Sequence, residues 1–158
     1  DNYLTPNVVD PLPADLLGKI IAAQDFNKAY YYTRQLMLGT FDYTVHTTEG
    51  AVDVTKVYDG IYQEIIGVKA LEGGHFAAGF GHMMGGYDAG YYSYIWSEVY
   101  AADMFSEFQK AGLLNQALGL KYRQTILEQG GMIEPLDLVQ QFLGRASNND
   151  AFYKKLGI

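Results

Sequence analysis

The residues best suited to chemistry lie between Phe80 and Phe105, in the run FGHMMGGYDAGYYSYIWSEVYAADMF. His82 sits in a glycine-rich stretch that leads into a helical pattern carrying Tyr87, Tyr91 and Tyr94. Imidazole and phenol groups donate hydrogen bonds without needing to be charged. At 100° per residue, Tyr87, Tyr91, Tyr94 and Glu98 fall on one face of a helix. Tyr92, Trp96 and Val99 point the other way, and that second face is expected to be core. A tyrosine stripe of this kind serves either as a groove wall or as a gripping surface. His82 reads equally as a donor to a bound molecule or as a loop-bracing side chain.

No metal site is expected from this chain alone. Its three histidines, His46, His75 and His82, have neither the i, i+4 spacing that puts two imidazoles on one helix face nor a following Glu. GFGHMMGG resembles a dinucleotide fingerprint only loosely: its spacing is wrong and no βαβ pattern surrounds it. Neither a G-x-S-x-G nucleophile motif nor a phosphate-cradling G-x-x-x-x-G-K occurs. Arg123 and Arg145 are candidates for binding a peptide carboxylate, but a structural role, capping a helix end or making an interhelical salt bridge, is the favoured reading for both.

These residues must be positioned by helices. Pro6, Pro11 and Pro13 mark residues 1–13 as an extended linker. Apolar residues spaced by three and four predict a helix from Ala14 to about Met37, with Gly39 at its C-cap. Phe41 to Thr48 reads as a short strand on residue type, and better as an extended linker or the turn of a helix. Asp53 is expected to cap a helix from Val54 to about Val68. Residues 71–90 hold seven glycines, too many for a stable helix, and form a mobile loop. Asp88 is expected to cap a helix over 89–111 that ends at Gly112. Further helices are expected at about 115–129, 135–143 and 149–156. The prediction is an all-α unit of about six helices, read as an incomplete one.

The 158 residues are 49% apolar, enough for a core. A formal charge of −7 with no basic run argues against nucleic acid or an anionic membrane as a partner. The absence of cysteine excludes disulfides, thiolate metal sites and a cysteine nucleophile, and it agrees with a reducing compartment. The expected location is cytoplasmic.

Three segments together resemble the thimet oligopeptidase family, which includes neurolysin, oligopeptidase A and dipeptidyl carboxypeptidases. They are LPADLLGKIIAAQDFNKAYYYTRQLMLGTFDYTVHT, the H-x-x-G-G-Y-D-A-G-Y-Y-x-Y pattern beginning at His82, and GLKYRQTILEQGG followed by FLGR and AF…LGI. The resemblance covers almost the whole chain and runs in the order of that family's C-terminus, so Ile158 reads as a chain end. It implies a multi-helix, C-terminal catalytic-domain fragment of a neurolysin-like, two-lobed peptidase with a deep, narrow channel. It implies a zinc ion held by H-E-x-x-H and a downstream glutamate, with the motif's glutamate activating a zinc-bound water. Those ligands are not in this chain, so zinc belongs to the parent enzyme and residues 14–158 lack the zinc-binding half. By the same resemblance, His82 and Tyr94 are catalytic, donating to the scissile carbonyl as it becomes an oxyanion. Tyr87, Tyr91, Gly85 and Gly86 contact substrate, and the loop over 79–94 closes on it. The implied partners are short peptides and the upstream catalytic half of the parent; a homodimer through exposed apolar surface is a further expectation. The isolated chain is expected to hydrolyse nothing. Ser147, Met132 and Tyr153 depart from the family pattern, where proline, serine and leucine are usual. The alternative readings are a stand-alone helical module that binds peptide or protein without cutting, and one subunit of a split peptidase.

Overall fold

Local signals fix several helix ends in the computed structural model, which describes residues 12–158. The Asp53 side chain accepts from Lys56 N at 3.0 Å and starts α3 (Val54–Ile66), and Gly67, at φ 86°, ends it. Pro135 opens α7 (Pro135–Leu143), and Gly144, at φ 72°, closes it. Asn115 caps α6 (Gln116–Tyr122), which runs on into a wider π turn over Arg123–Leu127. The remaining elements are α1 (Ala14–Ala23), α2 (Lys28–Thr47), a single turn α4 (Phe76–Gly79), a 3₁₀ turn (Gly81–Met84), α5 (Ser93–Ala111) and α8 (Asp150–Leu156). Among the described residues there is no strand, and the all-α expectation holds. No helix among them is long and apolar enough to cross a membrane. The expected linker over 1–13 lies outside the described residues except at Leu12 and Pro13.

Several boundaries differ from expectation. The helix expected over 14–37 is two helices, broken at residues 24–27, where Asn27 takes the left-handed conformation at φ 59°. Gly39 is not a C-cap; it is buried inside α2, which continues to Thr47 through the segment expected to be linker or turn. Tertiary burial overrides the local signal here. Phe41 and Asp42 point inward at 0% and 1% exposure. The β-branched hydroxyls adapt by bonding back along the helix, Thr47 to Tyr43 O and Thr48 to Thr44 O. Asp88 caps nothing, and α5 begins four residues later than Ala89.

Two apolar clusters hold the helices. The first joins α2 to the glycine-rich segment through Met37, Leu38, Phe41, Phe80, Met83 and Tyr91, with Val57, Tyr58 and Ile61 of α3 packed against it. Tyr58 and Phe76 stack beside it with centroids 4.5 Å apart. The second surrounds Phe142, which meets Phe108 and Tyr122 at 6.1 and 5.6 Å. Buried Asp103 ties α5 to the chain after α7: Arg145 grips it with two nitrogens at 2.6 and 2.9 Å, and Ser147 Oγ and Asn148 N also donate to it. The Arg145 bond, against the cost of burial, holds the Asp103 carboxyl down to about 2. By contrast, Leu16, Leu17, Ile20 and Ile21 of α1 all remain exposed.

Candidate active site

The glycine-rich segment folds back on α2 because a buried carboxylate holds it there. Asp42 Oδ1 accepts from Ala89 N at 3.1 Å, and Oδ2 accepts from Tyr91 N at 2.9 Å. His46 Nδ1, one turn further along α2, lies 3.0 Å from Oδ1 and 2.8 Å from the Asp42 carbonyl oxygen. With its N–H groups engaged this way, the chain at Ala89 adopts φ 55°, a conformation that interrupts any helix there. This is why Asp88 does not cap α5. Gly86 turns the loop at φ 80°, and a Cβ on Gly85 would come within 3.1 Å of Gly81 O.

This fold brings His82, Tyr87, Tyr91 and Tyr94 together, although only Tyr94 lies on α5. The His82 ring is 5.1 Å from Tyr91, 5.9 Å from Tyr94 and 6.0 Å from Tyr87 by centroid. Tyr94 packs on Tyr91 and Tyr87 at 4.9 and 5.3 Å. His82 Nε2 and Tyr94 Oη are 3.3 Å apart, at the long end for a hydrogen bond. Tyr87 Oη and Ser93 Oγ are 2.6 Å apart. Tyr94 and Tyr87 are exposed, whereas Tyr91 is core. Burial pushes the Tyr91 phenol above its ordinary range, opposed by the positive charge of Arg34.

The helical wheel grouped three of the tyrosines correctly for the wrong reason, and it misassigned the rest. Glu98 is not part of the group. It accepts from Tyr32 and Lys155 at 2.7 Å and from Tyr31 at 3.4 Å. Tyr92 and Trp96, expected in the core, are 57% and 59% exposed, and Val99 is half-buried. The helix does not extend back to Tyr91, and α5 packs through its other side on α7 and α8. Arg145 is committed to Asp103, and Arg123 Nε pairs with Glu128 at 2.9 Å, which matches the structural reading of both. Sequence reasoning missed Asp42. The signal for it was an acid wedged in an apolar run, LMLGTFD, with histidine four residues on.

His82 Nε2 and Tyr94 Oη lie close enough together for one oxygen atom to contact both. Their mutual bond is long enough to be given up readily. Among the described residues no three His, Cys, Asp or Glu side chains come together to hold a metal ion. The donor set of the described residues therefore does not fit a zinc site.

Among the described residues the fold is all-helical, with a loop-borne histidine–tyrosine cluster beside an open groove. Residues 6–158 match the model of Peptidase family M3. Oligopeptidase A of Escherichia coli is 37% identical over 153 residues, and that of Salmonella typhimurium 36% over 153. The thimet-like oligopeptidase of Dictyostelium discoideum is 36% identical over 149 residues. These alignments cover 93–94% of this chain but only 22% of each relative, so the chain spans about a fifth of their length. The chain belongs to Peptidase family M3.

Proposed function

We propose that this chain supplies the substrate-holding part of a zinc-dependent oligopeptidase, with the metal and its ligands outside these residues. The observation that carries the reading is the convergence of His82 Nε2 and Tyr94 Oη, 3.3 Å apart, beside an adjustable glycine-rich loop. As a peptide carbonyl becomes tetrahedral, its oxygen takes both hydrogen bonds and the His82–Tyr94 bond is released. Tyr87 and the backbone at Gly85 and Gly86 hold the flanking peptide, and the glycines let the loop close over it. Tyr91 serves mainly as the buried floor under the other rings. Family membership and the names of the relatives support short peptides as substrates. The apolar residues left exposed on α1 support contact with the remainder of the parent polypeptide, in which residues 14–158 form the C-terminal part of the peptidase domain.

The test is steady-state kinetics of the full-length parent on a quenched-fluorescent peptide. Tyr94→Phe and His82→Ala should each lower kcat on the order of 100-fold with little change in KM. The 158-residue chain supplied with zinc should cut nothing. Unchanged kcat in both variants removes the oxyanion role. Cleavage by the isolated chain removes the division of labour.

A further inference from the structure

We propose that Arg34 binds a carboxylate of the peptide in the groove that also holds His82, Tyr87 and Tyr91. This rests on the functional reading above and extends it to substrate choice. Arg34 lies on α2, four residues before Leu38 and eight before Asp42, on the edge that faces the glycine-rich segment. With Leu38, Phe76 and Phe80 it lines an open groove of about 700 Å³ running to His82, Tyr87 and Tyr91. The chain has three arginines. Two are bound to acids, Arg123 to Glu128 and Arg145 to Asp103. Arg34 is half-buried and makes no ion pair or side-chain hydrogen bond among the described residues.

Of the acids on the neighbouring elements, Asp42 and Glu98 are already engaged, and Asp59 and Glu64 of α3 and Asp88 of the glycine-rich segment make no ion pair with Arg34 among the described residues. Asp42 is bonded to Ala89 N, Tyr91 N and His46, and Glu98 to Lys155 and two tyrosines. A half-buried guanidinium facing a groove in a protein of net charge −7 is a local positive site with its planar fork unfilled. A carboxylate fills that fork with two parallel hydrogen bonds. The apolar walls beside it, Leu38, Phe76 and Phe80, suit the side chain of a residue next to that carboxylate. The carboxylate is either the C-terminus of the peptide or an Asp or Glu side chain, and the same chemistry serves both.

The experiment compares three peptides on the full-length protein: a free C-terminal acid with one internal Glu, its C-terminal amide, and its Glu→Gln analogue. The wild type should cut the free, acidic peptide with kcat/KM on the order of 10–100-fold above one of the two neutralised peptides, mostly through KM. The neutralised peptide that loses the advantage identifies the source. Arg34→Gln should bring the three peptides to equal kcat/KM, and Arg34→Lys should retain part of the preference. Equal kcat/KM for all three peptides in the wild type overturns the assignment, with no variant needed. So does a preference that survives Arg34→Gln, or an equal loss on all three peptides, which would mean that Arg34 pairs with a carboxylate of the protein. Fluorescence-anisotropy binding of the same peptides is run in parallel. If the wild type cuts nothing, the oligopeptidase reading fails while the binding preference still decides the role of Arg34.

Discussion

Replacing Asp42 with asparagine is the sharpest perturbation of the candidate site, because it changes one atom that no substrate touches. The carboxylate is 1% exposed and accepts two backbone N–H groups at 2.9 and 3.1 Å. A hydrogen bond to a charged acceptor contributes about 1.5–3 kcal/mol, and a buried donor left without an acceptor costs about 1–3 kcal/mol. Asparagine keeps one acceptor and turns an NH₂ group toward the second backbone N–H, so one of the two bonds is replaced by a donor facing a donor. Asp42→Asn should therefore weaken the attachment of residues 89–91 to α2 by about 2–3 kcal/mol. Since about 1.4 kcal/mol is tenfold, local opening becomes roughly 30–150 times more frequent. The assay is amide hydrogen exchange resolved at Ala89 and Tyr91. Both amides should exchange faster by that factor, whereas the amides of α7 and α8 change far less. The loosened segment carries Tyr87 and Tyr91, so kcat/KM of the parent falls with it. Protection at Ala89 and Tyr91 unchanged within threefold would refute the reasoning, because the two short bonds would then not be what holds the loop.

The other predictions concern stability. The folded protein holds the Asp103 carboxyl down to about 2, below its ordinary 3.8. Its contribution is therefore present above about pH 4 and is lost as pH falls through 2, an amount of roughly 2.5 kcal/mol. Arg145→Gln should move the acid unfolding midpoint, followed by circular dichroism, to higher pH; an unmoved midpoint would show that the pair is not part of the acid response. Gly39→Ala should leave stability unchanged or raise it by up to about 1 kcal/mol, since the added methyl would meet Tyr92 Cα at 3.5 Å, an ordinary contact. A fall in Tm of more than a few degrees would mean that the α2 surface leaves no room for a methyl beside Tyr92.

Much of the site was legible before folding because its signals are local. Glycine density marks a segment that cannot be regular helix, and His82 with its tyrosines stands out within 13 residues of chain. Asp53, Pro135 and Gly144 act on their own helix ends, so periodicity and caps alone were enough to place α3 and α7 and the all-helical class. Tertiary structure decided whatever depended on a distant partner. Asp42 reaches 47 and 49 residues along the chain, and nothing near it in sequence names Ala89 or Tyr91. That contact moved the start of α5, buried Tyr91 and left Tyr92 outside, reversing the faces that a continuous helix would have given. Glu98 was drawn away from the tyrosines by Lys155, 57 residues on. The three arginines are the same residue type, and nothing local in the sequence names the carboxylate each would meet. Two met a carboxylate in the fold, and Arg34, facing the groove, met none among the described residues.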